Sequence, residues 1–578
     1  MDINNYQNYN RTNALLNAEN NTEYKNSTWR TFVRFTQRFN SREETAADHD
    51  KGGIKNAYYS IQLDYSRYNQ NTQSQDHGDN LFDYGYLGKY KQNIVNSYDP
   101  LSGKQNGYLV DGVQFTPSSM NPDAAAFAQD YFTSFNQGTS FYQDFSHIQQ
   151  SGGLLNGDLP ASVYGLWNNV GVLSNQYSKY QSDQVRVSAS GSADIGKHAV
   201  SVGVEYEQLT QRYYSLAPVG LWTQARRLAN RHIAGLDYSD STVVAGPDGV
   251  IRTDYARLVG PDQSAFDYNL RTALGLDPHG TDYIQVDALD PKIFSLDMFS
   301  PDELIQNGQG NLINSYYGYD YTGKKLSSRP TFNDFFNDYT MIGGDTAYSR
   351  LQAPFQPIYV AGYAMDKFAF DDIIFNIGLR VDRYDANQSV LKDPYLWRPA
   401  YTAGDAQVQS LYNGNTPRPS NIGDNYVVYV DNSAAPTTVV GYRNGDTWYN
   451  SLGEVVTDPS LLKQSTGIQP YLVDYQNDPA GSLTGSKLRQ EAFQVYNPQV
   501  NVMPRIAFSF PISDEALFFA HYDILTQRHT GYSRLDLQGY AYVENTTNAI
   551  LNNPNLKPTK TIDYELGFQQ VLSKSSSL

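Results

Sequence analysis

Histidine, acidic and hydroxyl side chains that could do chemistry are scattered along this chain. The eight histidines lack a His-Glu-x-x-His or comparable ligand spacing. Neither a Gly-x-x-x-x-Gly-Lys-Ser/Thr loop nor a Gly-x-Ser-x-Gly elbow is present. The chain has no cysteine, which excludes a thiol nucleophile, a zinc-thiolate site and an iron–sulfur cluster. The sequence therefore predicts no enzyme, no cofactor and no bound metal.

Two groups of acids have the chemistry of possible binding sites. Several carboxylates between Asp237 and Asp282 could bind calcium through loop oxygens, but an Asp-x-Asp-x-Asp-Gly register is missing, so solvated loop charge is the favoured interpretation. The pair Asp371 and Asp372 falls between two predicted strands, where it is typical of a tight turn.

Aromatic and arginine side chains offer better candidates for contact with a ligand, because aromatic rings stack on sugars or planar chelates and arginine pairs with anions. One set lies in LWTQARRLANRH (221–232), which predicts a short helix, and the other in YYGYDY (316–321). The candidate contacts are Trp222, Arg226, Arg227, Tyr316, Tyr317, Tyr319 and Tyr321. The alternative, which the residues alone favour, is that both sets pack loops against one another.

Composition limits the class of protein that can carry these residues. The chain has 578 residues, with 60 acidic and 43 basic side chains and a net charge of −17, which argues against nucleic-acid binding. It has 48 tyrosines, 14% aromatic residues and 18% charged residues, against about 25% charged in ordinary globular chains. This composition disfavours disorder and suits β-structure with long polar loops.

The elements that would position these side chains are predicted to be strands, because apolar and polar residues alternate with period two. In 57–68, Tyr59, Ile61, Leu63 and Tyr65 share one face. Similar alternation occurs in 29–39, 185–194, 198–207, 359–382, 504–524 and 562–568, with Tyr359, Ala361, Tyr363 and Met365 as one apolar set. Weaker strands near 81–91 and 107–116 bring the predicted number to about eleven.

Connection lengths and the chemistry of the two faces indicate the surrounding medium. Predicted turns at 195–198, 369–372 and 511–515 are short, whereas the segments near 117–182, 215–355 and 386–502 are long. Several apolar faces carry aromatics at their ends, and the opposite faces carry ions. These features favour an all-β fold, a transmembrane antiparallel β-barrel with long extracellular loops, over a soluble β-protein. The residues predicted to face the lumen are Arg30, Arg34, Arg38, Asp64, Glu205, Glu207, Arg380, Asp382 and Glu565, and His521 is expected to face it too.

One stretch near the end of the chain carries a family resemblance. PNLKPTKTIDYELGFQQ (554–570) resembles the opening of a late strand in TonB-dependent outer-membrane receptors. The matching residues are Asn553, Pro554, Leu556, Lys557, Pro558, Tyr564, Glu565, Leu566 and Gly567, whereas Thr559 stands where the family usually has Glu. The hairpins at 359–386 and 504–524 are similar to barrel hairpins of the family. FSPDELIQNGQG and YYGYDYTG are similar to loops of its large members, which carry a carboxypeptidase-like regulatory N-terminal domain.

The resemblance implies a 22-stranded barrel, closed by an N-terminal plug, that imports a scarce ligand into a Gram-negative cell with energy relayed by TonB. The expected partners are outer-membrane lipid, the TonB complex acting through a plug that this chain does not contain, a small or oligomeric ligand, and a surface lipoprotein. Residues 1–578 are expected to be a partial barrel, a fragment of about eleven strands without plug and final strands. The row Arg30, Arg34 and Arg38 would then steer anions or pair with plug acids, with structural pairing as the favoured alternative.

Two other functions stay open at this point. A passive porin or structural outer-membrane barrel would show the same strands without a plug. A soluble extracellular glycan-binding or glycan-cleaving β-protein would cover Tyr59, Ile61, Leu63 and Tyr65 with a second protein layer.

Overall fold

The structure is a computed structural model. It describes residues 2–7, 9–39, 54–135, 144–161, 166–305, 312–396, 398–412, 417–463, 468–473, 490–528, 533–542, 551–573 and 576–577. His49 and His529, and part of the stretch FSPDELIQNGQG, lie outside these residues.

Strands make up most of the regular structure. The first twelve are β1 (Asp2–Gln7), β2 (Glu23–Arg38), β3 (Ile54–Gln73), β4 (Gly88–Tyr98), β5 (Gln105–Pro117), β6 (Tyr177–Ile195), β7 (His198–Leu216), β8 (Gly235–Ala245), β9 (Ile251–Leu258), β10 (Ile313–Tyr317), β11 (Tyr339–Ile342) and β12 (Asp345–Tyr348). The others are β13 (Ile358–Phe370), β14 (Ile373–Asp385), β15 (Ser389–Leu391), β16 (Val427–Val430), β17 (Val439–Asn444), β18 (Thr447–Asn450), β19 (Val455–Val456), β20 (Gln469–Pro470), β21 (Phe493–Val495), β22 (Gln499–Ser513), β23 (Ala516–Gln527), β24 (Thr559–Ser573) and β25 (Ser576–Ser577).

Helices are short and lie in the connections between the long strands. They are α1 (Pro122–Phe135), α2 (Phe145–Gln150), α3 (Leu221–Leu228), α4 (Ala265–Ala273), α5 (Pro301–Ile305), α6 (Asp334–Asn337), α7 (Ala406–Gln409) and α8 (Leu537–Ala541). Single 3₁₀ turns span Ala18–Asn20, Pro218–Gly220, Arg231–Ile233, Val286–Ala288, Pro291–Ile293, Leu296–Met298, Pro459–Leu462 and Gln490–Ala492. Among the described residues, none of these helices has the length and apolar character needed to cross a membrane.

The predicted all-β class is confirmed, since the strands pair in antiparallel sheets. By contacts the chain divides into two compact units. Unit 1 consists of Met1–Arg34, Gln62–Val187 and Gln208–Phe355, and unit 2 of Phe35–Ile61, Ser188–Glu207 and Gln356–Leu578.

Unit 1 holds a sheet with two hairpins beside it. The strands β1, β2, β3, β6 and β7 pair in that order, and β10 pairs with the end of β7, so that Tyr316 lies opposite Tyr214. Only parts of these strands belong to unit 1, since 35–38 of β2, 54–61 of β3, 188–195 of β6 and 198–207 of β7 belong to unit 2. The hairpins β4–β5 and β8–β9 contact each other, with the Tyr98 hydroxyl donating to Asp254 at 2.7 Å. The long connections of this unit are therefore themselves folded.

Unit 2 contains an antiparallel run of long strands in the order β13, β14, β22, β23, β24. Its register sets Ile377 opposite Ile506, which in turn lies opposite Tyr522. A separate five-stranded sheet, β19-β18-β17-β16-β20, has a core of its own that includes Val428, Val430 and Tyr442. This smaller sheet lies within the connection from β14 to β22.

The long strands have one apolar and one charged face, and the apolar face is exposed. On β14, Ile377 and Leu379 are 41% and 48% exposed, while Asp382 on the opposite face is 7% exposed. On β3, Ile61 and Leu63 are 48% and 50% exposed. A soluble β-sandwich would bury such a row in its core. The described residues instead leave it uncovered.

Tight turns join the long strands where the sequence predicts them. Only two residues separate β6 from β7, β13 from β14, and β22 from β23. Gly196 and Asp371 begin the first two turns with φ angles of +61° and +52°, the left-handed conformation that such reversals use. The other ends of these strands lead into the long connections.

Two strand predictions are wrong in detail. Residues 81–87 form turns, and the strands near 81–91 and 107–116 are the hairpin β4–β5, which pairs within itself and not with the long strands. Nine strands of 12 to 20 residues remain in the described part of the chain: β2, β3, β6, β7, β13, β14, β22, β23 and β24.

The face predicted for β13 is also corrected. Tyr359, Ala361 and Tyr363 lie opposite Tyr384, Asp382 and Arg380, and therefore on the charged face. Met365, from the same predicted apolar set, lies opposite Gly378 on that face. Both faces of YVAGYAMDKFAF are apolar in sequence, so alternation alone did not decide which one is exposed.

Candidate functional site

A polar cavity on the charged face of unit 2 is the candidate site. Antiparallel pairing brings Asp382 opposite both Ala361 and Asn501, and Tyr384 opposite both Tyr359 and Gln499. Because directly opposed residues of paired strands share a face, these side chains project to the same side. Strand register, and not loop conformation, positions the site.

Arg380, Asp382 and Tyr359 form a connected network at the floor of this cavity. The Tyr359 hydroxyl donates to Asp382 Oδ2 at 2.5 Å, and Arg380 Nη2 donates to the same hydroxyl at 2.8 Å. Arg380 Nε lies 2.8 Å from Asp382 Oδ1. Each charge is partnered, so the network holds these groups in fixed positions.

Arg528 crosses the charged face from the end of β23. Its Nη2 donates to Glu207 Oε1 on β7 at 2.7 Å, and its guanidinium lies 4.6 Å from the centre of the Tyr359 ring. In the sheet order, β7 and β23 are separated by β13, β14 and β22. Four strand spacings of ~4.8 Å would separate them by about 19 Å in a flat sheet. The charged face of unit 2 is therefore concave at this end.

The concave end encloses a cavity of about 270 Å³. Its lining residues are Glu205, Tyr359, Arg380, Asp382, Tyr384, Asn501, Thr526, Gln527, Arg528 and Pro558. Guanidinium, carboxylate, amide and phenol groups together can donate and accept hydrogen bonds, and two tyrosine rings offer stacking surfaces. This chemistry suits a polar ligand or a polar loop of another domain.

The structure brings four of the predicted lumen-facing residues to this end of the charged face, namely Glu205, Glu207, Arg380 and Asp382. Sequence reasoning missed Tyr359, which it placed on the apolar side, and Arg528, which follows the last residue of its strand. Pro558, the second proline of the stretch at 554–570, also lines the cavity.

The other predicted lumen residues lie elsewhere. Arg34 Nε donates to Gln62 at 2.6 Å, and Gln62 donates to Asp64 at 2.6 Å, within unit 1. Arg30 and Arg38 are exposed. Glu565 lies opposite His521, 3.6 Å from its Nδ1, on the charged face of β23 and β24.

The predicted helix with Trp222 is present as α3 and is packed inside unit 1. Trp222 is fully buried, and its indole Nε1 donates to the carbonyl of Phe82 at 2.8 Å. Arg226 donates to both oxygens of Asp287, at 2.7 and 2.8 Å. Burial alone would lower the pKa of Arg226, but these hydrogen bonds raise it above its usual value. Arg227 donates to Gln224 at 3.1 Å.

The tyrosine cluster is packed in the same unit. Tyr316 is fully buried and donates to the carbonyl of Arg350 at 2.7 Å, while the Tyr317 ring lies 6.1 Å from Tyr213. Tyr319 is 7% exposed, and burial raises the pKa of Tyr321 to about 12. In this conformation both sets stabilise the loops, and contact of these residues with a ligand stays a prediction.

Ser300 precedes the first residue of α5. Ser300 Oγ accepts from the Glu303 amide at 3.4 Å, and Glu303 accepts from the Ser300 amide at 2.8 Å, so the two residues form a capping box at α5.

A buried charged network lies beside α3. Asp267 accepts from Arg271 Nε at 2.8 Å and from the Asn230 amide at 2.7 Å. His232 Nδ1 lies 3.4 Å from Asp267, and His232 is 2% exposed. Burial lowers the pKa of His232, although Asp267 opposes that shift.

Comparisons with known proteins give two distant likenesses. No protein-family model matches the chain, and no curated protein matches it significantly. The closed form of the ferric-catecholate import receptor Fiu from E. coli K12 is 10% identical, with a TM-score of 0.25 over 96% of this chain and 39% of that one. The copper transporter OprC is 8% identical, with a TM-score of 0.23 over 96% of this chain and 49% of that one.

The chain thus spans less than half the length of either solved structure.

We predict that Arg528 and Glu207 are energetically coupled. Because Glu207 is buried and Arg528 is partly exposed, a double-mutant cycle with Arg528→Gln and Glu207→Gln should give about 1 kcal/mol of coupling in the free energy of unfolding. Urea denaturation measures it, and the coupling should shrink in 1 M salt by screening. Strictly additive losses would show that the two side chains do not meet in solution.

We also predict that His232 makes its unit less stable as the pH falls. The folded state holds the pKa of His232 below the ordinary 6.5, so below that pH the unfolded chain binds the proton first. Stability from the neutral imidazole is therefore present above about 6.5 and lost as the pH falls towards the folded value. Hydrogen exchange of the α3–α4 amides should show this loss, and His232→Leu should reduce it. An unchanged slope in that variant would contradict the prediction.

Proposed function

We propose that this chain forms part of the membrane-spanning barrel of an outer-membrane receptor of the TonB-dependent type, which imports a scarce ligand. Siderophores, glycans and peptides are the ligand classes we consider. The membrane is the outer membrane of a Gram-negative cell. The energised partner is the TonB complex, reached through a plug domain, and a surface lipoprotein is a further proposed partner.

The observation that carries this proposal is the exposure of the apolar face along long antiparallel strands. Val204, Leu379, Ile506 and Leu566 are 46% to 75% exposed on four different strands. Water does not favour so much uncovered aliphatic and aromatic surface, whereas hydrocarbon tails do. Strands that satisfy their backbone hydrogen bonds laterally are also one of the two structures able to span a bilayer.

The concave charged face supports the same proposal from the other side. A wide, wet lumen keeps Glu205, Arg380 and Arg528 solvated, which the core of a small sandwich could not do. In an importer this face lines the route of the ligand, and the cavity at Asp382 and Tyr359 is our candidate for a polar contact along that route.

The polarity of the connections agrees with a receptor orientation. The two-residue turns that join long strands to each other all lie at one end of those strands, and the folded connections, with their buried Trp222 and Tyr316, follow from the other end. Outer-membrane barrels place short turns in the periplasm and long loops outside the cell. We accordingly assign the connections between β3 and β6, β7 and β13, and β14 and β22 to the extracellular side.

Adjacent residues of β22 test the membrane assignment. Ile506→Lys places a charge on the apolar face in mid-strand, which should cost ~2–4 kcal/mol of stability in a bilayer. Ala507→Lys, whose side chain lies opposite Asn376 and His521 on the charged face, is the matched control and should cost much less. Urea unfolding in lipid vesicles measures both, and equal costs for the two variants would contradict the assignment.

Conductance separates a receptor from a passive porin. The whole protein that contains this chain, purified from outer membranes and placed in a planar bilayer, should show no steady ionic current, because a plug fills a receptor barrel. A stable open current carried by the unmodified protein would instead establish the porin alternative.

A further inference from the structure

A second cavity, of about 380 Å³, lies in the folded connections of unit 1 and is separate from the charged face of unit 2. Three segments line it: the turn at 79–83, the two 3₁₀ turns at 291–297, and the turn at 322–324. Its size is at the small end of the range for ligand pockets, which is ~300–1,000 Å³. It therefore fits a compact molecule.

The floor of this cavity is apolar and firmly held. Phe82 and Phe294 stack with their ring centres 5.0 Å apart, and Phe82 also packs edge-on against Trp222 at 5.8 Å. Leu296 and Pro291 complete the floor, and both are buried. These residues offer a rigid surface for an aliphatic or aromatic side chain.

The five charged groups of the lining divide into two kinds, those with a partner and those without one among the described residues. Asp79 accepts from the Tyr177 hydroxyl, and Lys324 pairs with Asp297 at 3.2 Å. By contrast, Asp83 and Lys292 make no side-chain hydrogen bond or ion pair within the part of the chain that the structure describes. Asp83 is half-buried, and burial raises the pKa of its carboxyl, against the opposing charges of His77 and Lys292.

An uncommitted acid and an uncommitted base thus share the mouth of one apolar pocket. The carboxylate of Asp83 matches an ammonium group, and the ammonium of Lys292 matches a carboxylate. A ligand with both charges and an apolar side chain would meet all three surfaces at once.

We propose that this cavity binds a small zwitterion with an apolar side chain, either a free amino acid or a short peptide. Asp83 binds the ammonium, Lys292 binds the carboxylate, and Phe82 and Phe294 contact the side chain. The proposal goes beyond the proposed function and needs no transport.

Titration calorimetry of the full chain in detergent micelles tests it with four probes: L-phenylalanine, N-acetyl-L-phenylalanine, L-phenylalaninamide and L-leucyl-L-phenylalanine. L-phenylalanine should bind, and loss of either charge should weaken binding about tenfold, as expected for a charged hydrogen bond. The better binder of the free amino acid and the dipeptide identifies the natural source, and both outcomes support the site.

Substitutions test which charged group of the ligand Asp83 and Lys292 each bind. Asp83→Asn should weaken the affinity for L-phenylalanine about tenfold but leave the affinity for N-acetyl-L-phenylalanine, which has no ammonium group, unchanged. Lys292→Gln should also weaken the affinity for L-phenylalanine about tenfold but leave that for L-phenylalaninamide, which has no carboxylate, unchanged. Lys104→Gln and Asp76→Asn, both outside the cavity, are the matched controls and should leave affinity unchanged. Near-ultraviolet circular dichroism verifies that each variant is folded.

Equal affinity for all four probes, no binding of any of them, or equal effects of the control variants would overturn the proposal. Because the measurement involves binding in micelles only, such a failure would leave the membrane assignment standing. Conversely, failure of the lysine test on β22 would leave this cavity and its predicted ligand intact.

Discussion

The need to cover one face of each long strand with something other than water constrains this structure more than any other feature. The alternation that places Ile377, Leu379 and Val381 on one side places Arg380 and Asp382 on the other. One solvent cannot stabilise both the apolar face and the charged face. Under the proposed membrane assignment, hydrocarbon on the apolar side and water on the charged side stabilise both faces, and the tight turns, long connections and concave charged face agree with that division.

Ion pairs and hydrogen bonds between charged side chains connect the strands on the concave face. The Arg528–Glu207 pair spans three intervening strands, and the network of Arg380, Asp382 and Tyr359 holds the floor beneath it. Such pairs are weak as single interactions in water, but their partners are held by strand register, so less side-chain entropy is lost when they form. The result is a polar cavity whose shape depends on the sheet.

Much of this fold could be predicted from sequence because period-two alternation and turn residues are local signals. These local signals predicted the three tight turns and the exposed faces of β3, β14 and β24. Which face of β13 is exposed could not be predicted, because Val360, Gly362 and Ala364 are as apolar as the residues between them. The hairpin β4–β5 was predicted as a pair of strands, but nothing local distinguishes a strand of a loop from a strand of the long sheet.

Only part of the candidate site could be predicted from the sequence. Glu205, Glu207, Arg380 and Asp382 were found as ions opposite apolar rows, whereas Arg528 acts across strands far apart in sequence, and only the curvature of the sheet brings it to Glu207. The cavity at Phe82 and Lys292 joins three turns separated by some of the longest connections, so no sequence pattern indicated it. Trp222, chosen for its chemistry, is used to pack that region.

The most direct test of the two-faced account uses the absence of cysteine. Single cysteines placed in turn at each position from 374 to 382 of β14 can be spin-labelled in lipid vesicles, and the collision rate of each label with oxygen, which concentrates in hydrocarbon, can be compared with that of a water-soluble nickel chelate. The account predicts that oxygen collisions dominate at 375, 377, 379 and 381 and chelate collisions at the residues between them. A profile without this alternation, or with its phase reversed, would contradict it.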